Sequence, residues 1–214
     1  MKLSIEHIQN SIDKALKGES NLEEDRLSIS GFSTPTIRRL FNNLCNLVEA
    51  TYLEIGLFCG ASFCASFNKN CTAIGVEDHS QDFSAGFENV KRELKENLDK
   101  FSNIAKEVNV HYVGCFNMPD SAIPDGIVDI YSYDGWHSEE HQAKALSYFI
   151  DKMANKFAWL IDDWNWSYVR SGTDIGLSEL KDKIEIEKEW TLGEGLQNHH
   201  VWHNGLKIYL INKK

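Results

Sequence analysis

The sequence predicts an α/β protein: a Rossmann-like, doubly wound seven-stranded sheet with an antiparallel last strand, plus an N-terminal helical extension. Three observations carry that expectation. From Thr51 onward, short apolar runs alternate with helical patterns, as repeated β-α units of a parallel sheet require. The last two apolar runs, residues 186–192 and 206–211, are joined through residues 193–205 without room for a crossover helix. They should therefore pair antiparallel, with the reversed strand at the sheet edge. Finally, a glycine-bearing turn directly follows the first strand.

The chain opens with Ile5, Ile8, Ile12 and Leu16 at helical spacing, an amphipathic helix. Residues 18–31 are polar and read as a connector. Thr34-Pro35 then reads as an N-cap followed by proline in the first turn, opening a helix to about Val48. Residues 1–48 form the extension and residues 49–214 the α/β domain, in one structural unit. Strands are expected at residues 52–55, 73–76, 110–113, 127–133 and 157–161. Helices fall between them: one from residue 61, one near residues 84–100, one capped by Ser138, and one around residues 173–184. The helix after Ser138 carries a core stripe of Leu146, Phe149, Ile150 and Met153, and Glu139 and Glu140 suit its positive end.

Composition narrows the function. With 214 residues, 42% of them hydrophobic and 25% charged, the chain suits one substantial core. No apolar run approaches the about 20 residues that span a bilayer, and residues 1–7 are too polar for a secretory signal. A cytoplasmic protein without a membrane partner is expected. Five cysteines, an odd count without framework or zinc-site spacing, read as buried free thiols. A net charge of −10 repels phosphate backbones, so nucleic acid is not the expected partner and a small molecule is. The N-terminal helices offer a surface through which two copies could pair.

The strand Tyr52-Leu53-Glu54-Ile55 runs into Gly56-Leu57-Phe58-Cys59-Gly60, at the carboxyl end of a strand, where such sheets bind ligands. Gly56 permits a tight turn, and Gly60 permits close approach of backbone to a ligand or to the helix that carries Ser62. Glu54 is expected to point out and accept from an amine or hydroxyl. A dinucleotide motif would place glycines at Phe58 and Ala61; Phe58 obstructs the approach of a pyrophosphate, so NAD and FAD are disfavoured. Glu77 stands twenty-one residues past Gly56 at the end of the second strand, placed to accept from both hydroxyls of a ribose. Asp78 is its neighbour. Cys115 and Phe116 follow the third strand, where an adenine could lie against Phe116.

Two other strand ends carry acids: Asp134-Gly135-Trp136-His137 after the fourth, Asp162-Asp163-Trp164 after the fifth. Adjacent parallel strands would bring these carboxylates to one rim, where they repel unless a hard divalent cation intervenes. Trp164, Trp166, Tyr168 and Trp202 suit a sugar or aromatic ring at a pocket mouth, or equally the packing of loops. His199 and His203 have the helical spacing of a second metal site but fall in an expected loop, and read as structural or surface residues.

Residues 53–62 resemble the first motif of class I S-adenosylmethionine-dependent methyltransferases, and the helix after Thr34 is similar to the lead-in helix of their small-molecule O-methyltransferase branch. The resemblance covers roughly residues 34–211. The acidic rim resembles that of metal-assisted O-methyltransferases, including the macrocin-type and cephalosporin-hydroxylase-like groups. It implies S-adenosylmethionine as cofactor, Mg2+ or another divalent cation held by Asp134, Asp162 and Asp163, and His137 as the base acting on a small hydroxylated acceptor. Where some sugar enzymes have Asp-Gly-Asp, this chain has Trp136. A nucleotide-dependent oxidoreductase and a non-catalytic nucleoside-binding module remain the competing readings.

Overall fold

The computed structural model describes residues 2–80, 87–195 and 199–214. Helix α1 (Ile5–Leu16) is capped by Ser4, a short α2 (Glu24–Leu27) interrupts the expected connector, and α3 (Pro35–Leu44) follows. The Thr34 hydroxyl accepts from the Ile37 amide at 3.2 Å, the N-cap its sequence announced. Then come β1 (Thr51–Ile55), α4 (Ala61–Ser66), β2 (Thr72–Val76), α5 (Phe87–Phe101) and β3 (Glu107–His111). The second half holds β4 (Val128–Tyr133), α6 (Glu139–Phe149), β5 (Met153–Ile161), α7 (Ser167–Leu180), β6 (Ile184–Leu192), α8 (His199–Trp202) and β7 (Leu206–Lys213). The expected start of α5 at Ser84 lies outside the described residues.

The seven strands lie in the order β3-β2-β1-β4-β5-β7-β6. The pairs from β3 through β5 are parallel, while β7 runs antiparallel to both β5 and β6. The reversed strand, expected at the sheet edge, is thus interior, and β6 takes the edge. Exposed Glu185, Glu187 and Glu189 along β6 discourage pairing with another chain there.

Alternation along each strand feeds two cores. Tyr52, Ala73, Ile130, Ala158 and Ile208 pack with Ile8 and Ile12 of α1 and Leu40 and Leu44 of α3. Leu53, Tyr131, Trp159 and Tyr209 pack with Leu146 and Phe149 of α6 and Val169 and Leu180 of α7. The N-terminal helices therefore share a core with the sheet. A further tie joins the Trp190 indole N–H on β6 to the Gln9 side-chain oxygen, 2.9 Å away.

Besides α3, which ends at Leu44 and not near Val48, three element boundaries differ from expectation. Strand β3 begins earlier because its period is two: Val108 and Val110 face the core while Glu107 and Asn109 face out, so no continuous apolar run marks it. Met153 opens β5, paired with Val128, instead of closing the preceding helix. Helix α7 starts at Ser167 because Gly172 and Gly176 lie inside it, against α6. A Cβ at these positions would come within 2.4 Å of Glu139 O and 2.5 Å of Ala143 O, so these glycines mark close helix approach and not a helix end.

Ile8 is fully buried, so Ile8→Ala should lower stability by about 2–5 kcal/mol. Urea denaturation is expected to show one transition displaced as a whole; a separate early transition would mean that α1 unfolds on its own.

Candidate active site

A cavity of about 630 Å³ opens beyond the carboxyl ends of β1, β2, β4 and β5. Its floor is the turn after β1. Gly56 has φ +85°, and a Cβ there would stand 2.0 Å from the Asp134 carbonyl oxygen. The Asp134 amide in turn donates to Ile55 O at 2.9 Å. Glycine is required at this contact both by its backbone angle and by the space. It bolts the turn after β1 to the acidic turn after β4.

Glu77 reinforces the same turn. Its Oε2 accepts from the Leu57 and Phe58 amides at 2.8 and 2.9 Å, and its Oε1 accepts from the His79 amide at 2.7 Å. Phe58 is held at φ +50°, with its ring 5.2 Å from that of Phe32, centroid to centroid. Phe32 and Ser33, just before α3, close this side of the cavity. Asp78 Oδ1 accepts from the Ser80 amide at 2.8 Å, and Asp78 also lines the cavity with Val113, Cys115 and His141.

Glu54 does not point out as expected. It lies on the same strand face as Tyr52, fully buried, where the Tyr52 hydroxyl donates to one oxygen and the Ser62 hydroxyl to the other at 2.5 Å. Burial pushes its carboxyl up to about 8, with Asp162 and Glu77 adding repulsion against the two hydrogen bonds that oppose the rise. Ser62 lines the cavity; Glu54 and Gly60 lie behind its wall.

At the other rim, one carboxylate oxygen each from Asp134 and Asp162 and a ring nitrogen of His137 lie within 4.8 Å of one another. His137 Nε2 stands 3.3 Å from Asp134 Oδ1 and 3.6 Å from Asp163 Oδ2. Burial, and then the charges of neighbouring carboxylates, push Asp134 and Asp162 well above the usual carboxylate range. The cavity reaches 39% of the Asp134 side chain, so water tempers its rise. Asp163, at φ +54°, is turned inward and accepts from the Asn204 side chain at 2.8 Å.

No model of a known protein family matches the sequence, and no curated protein matches it significantly. Solved structures do match. The O-methyltransferase TomG of Streptomyces achromogenes, involved in tomaymycin synthesis and solved with S-adenosylmethionine, superposes with a TM-score of 0.58 at 14% identity. The match covers 99% of this chain and 92% of TomG. A putative caffeoyl-CoA O-methyltransferase from Staphylococcus aureus gives 0.59 at 13% identity, over 95% and 98%. TrmN of Thermus thermophilus gives 0.58 at 10% identity over 89% of this chain, which spans 52%, about half, of TrmN. This is the class I methyltransferase fold.

Within that methyltransferase fold, the cavity gathers Gly56, Ser62, Glu77, Asp78, Cys115, Asp134, His137, Asp162 and Asp163 from the residues singled out by sequence. Phe116 is elsewhere: its ring packs edge-on against His141 and Tyr148, 5.2 Å from each, and does not line the cavity. All five cysteines are free, and burial pushes the Cys115 thiol up to about 11, which makes it a wall and not a nucleophile. Ser132, His141 and Asn204 line the cavity without having been anticipated. Ser132 was readable, since the β1–β4 register sets it beside Glu54. Asn204 had no local signal, because it arrives from the loop between β6 and β7. His199 and His203, read as structural or surface residues of a loop, lie at the short helix α8 and just after it with tilted rings, centroids 4.7 Å apart, and His203 lines the cavity.

Glu54 gives the site a pH signature. Its carboxyl binds a proton more tightly folded than unfolded, so its contribution is fully present below the unfolded value of 4.5 and is lost as pH rises through about 8. Glu54→Gln should flatten the pH dependence of stability across that interval, read from urea midpoints. Parallel profiles for the two proteins would exclude a raised Glu54.

Proposed function

We propose that the protein is an S-adenosylmethionine-dependent methyltransferase that methylates the oxygen of a small hydroxylated molecule with the help of a divalent cation. The observation that carries this reading is a single cavity joining the Gly56–Glu77 turn to the Asp134–His137–Asp162 cluster. The nucleoside of the cofactor is assigned to Glu77, Asp78 and Cys115, and its amino-acid end to the Gly56 turn and Ser62. The absence of a glycine at position 58, where Phe58 lines the cavity, favours a cofactor without a pyrophosphate.

The donor set suits a cation. Two carboxylates and an imidazole nitrogen converge within 4.8 Å, and among the described lining residues there is no lysine or arginine to neutralise them. Asp134 and Asp162 would hold Mg2+ or a similar ion; Asp163, also expected as a ligand, is not one of the three converging donors and accepts from Asn204 instead. Such a cation, when bound, lowers the pKa of a hydroxyl it contacts. His137 faces the same place and is assigned to receive the acceptor's proton, forming an imidazolium whose charge Asp134 and Asp163 face at 3.3 and 3.6 Å. As the acceptor oxygen bonds to the methyl carbon, the sulfur–carbon bond breaks and S-adenosylhomocysteine leaves. Positioning supplies most of the work in such an in-line displacement.

S-Adenosylmethionine and S-adenosylhomocysteine should raise the melting temperature, whereas NAD and ATP should not. Stabilisation by NAD alone would replace this reading with an oxidoreductase. Glu77→Ala should weaken S-adenosylhomocysteine binding at least about tenfold, measured by titration calorimetry.

Asp134 and Asp162 must shed protons to hold a cation, and both carboxyls are raised, so Mg2+ affinity should climb with pH. Calorimetry at about pH 6 and about pH 8 tests this, with Asp162→Asn expected to abolish the heat. No Mg2+ binding by the wild type at either pH would remove the metal from the mechanism.

A further inference from the structure

The charge of the cavity wall says what kind of acceptor it admits. Five carboxylates line it: Glu77 and Asp78 at one end, Asp134, Asp162 and Asp163 at the other. Among the described residues no lysine or arginine lines it, and residues 81–86 and 196–198, outside the described part, contain neither type. Three arginines of the surrounding elements are held by backbone carbonyls. Arg170 donates to Trp164 O and Asn165 O at 3.0 and 2.9 Å. Arg38 is buried and donates to Leu27 O and Ile29 O at 2.6 and 2.7 Å, and buried Arg26 donates to Phe67 O at 3.0 Å.

Histidines are the lining's only nitrogen bases among the described residues: His79, His137, His141 and His203. His79 sits against Glu77, and His137 between Asp134 and Asp163. A divalent cation and the single net positive charge of the sulfonium cofactor would offset three of the five carboxylates. The lining as a whole then keeps two negative charges, inside a chain of net charge −10, and no cation of the lining is left to pair an anionic acceptor.

The same end of the cavity is walled by aromatic rings. Trp136 and Trp166 line it while remaining 55% and 36% exposed. His137 meets Trp166 edge to face at 5.5 Å, and Tyr168 leans on Trp166 at 5.5 Å. Exposed aromatic faces beside carboxylates attract a cationic group twice over, by ring quadrupole and by charge.

We propose that the methyl acceptor is a hydroxylated ring bearing an amine, and that acceptors carrying a phosphate, a carboxylate or a coenzyme A arm are refused. The inference rests on the methyltransferase reading above and adds the acceptor's charge to it. Like charges set against each other across a binding site cost several kcal/mol, so discrimination against anions is expected to be large. The ring itself can be aromatic or a sugar, since both lie against tryptophan.

The test uses the whole protein saturated with S-adenosylhomocysteine and Mg2+, titrated calorimetrically with two matched series. The aromatic series is dopamine, 4-ethylcatechol and 3,4-dihydroxyphenylacetate; the sugar series is glucosamine, glucose and glucose 6-phosphate. In at least one series the amine member should bind at least about tenfold more tightly than the anionic member, with the neutral one between. Added salt should narrow the gap. An anionic member that binds as tightly as its amine counterpart overturns the proposal, and so does the failure of every compound in both series. Failure of S-adenosylhomocysteine to bind in the preceding titration overturns the methyltransferase reading instead, so the two failures are distinguishable.

Discussion

The contact between Gly56 and the Asp134 carbonyl sets the distance between the two halves of the cavity. With a Cβ 2.0 Å from that oxygen excluded, β1 and β4 can end side by side, and the turn that follows one abuts the acidic turn that follows the other. The Asp134 amide closes the junction on Ile55 O, and Glu77 braces the turn from the β2 side through two backbone amides. The proposed cofactor and reaction sites therefore stand on a common backbone joint.

Much of this was legible in the sequence because it depends on strand ends. A short apolar strand followed by glycine, and acids at the tips of three more, place their side chains at one edge once the strands are parallel. Gly56, Glu77, Asp134 and Asp162 were found in this way. What the pattern of types did not convey was which face each side chain takes. Glu54 shares Tyr52's face and is enclosed by α4, so its carboxyl became an interior group. Phe116 follows β3 by enough residues to turn onto Tyr148 instead of the cavity.

The remaining surprises come from contacts distant in sequence. The position of β7 between β5 and β6 follows from antiparallel pairing on both sides, which a hairpin pattern shows for only one of them. Asn204 reaches Asp163 across 41 positions, and no periodicity announces such a bond. Gly172 and Gly176 look like helix breakers until α6 is seen lying against them. In each case the physical cause is a neighbour that one stretch of chain does not reveal.

The short helix α8 has a further consequence. The Thr34 hydroxyl, besides capping α3, donates to Val201 O at 2.5 Å, and three residues later Asn204 holds Asp163. The segment before β7 thus clasps the first third of the chain with one residue and the acidic rim with another. A ribosome must release the chain through Val201 before the first hold can form and through Asn204 before the second. During synthesis the cavity would acquire this wall late, and a nascent chain still short of Val201 would present the strand ends uncovered.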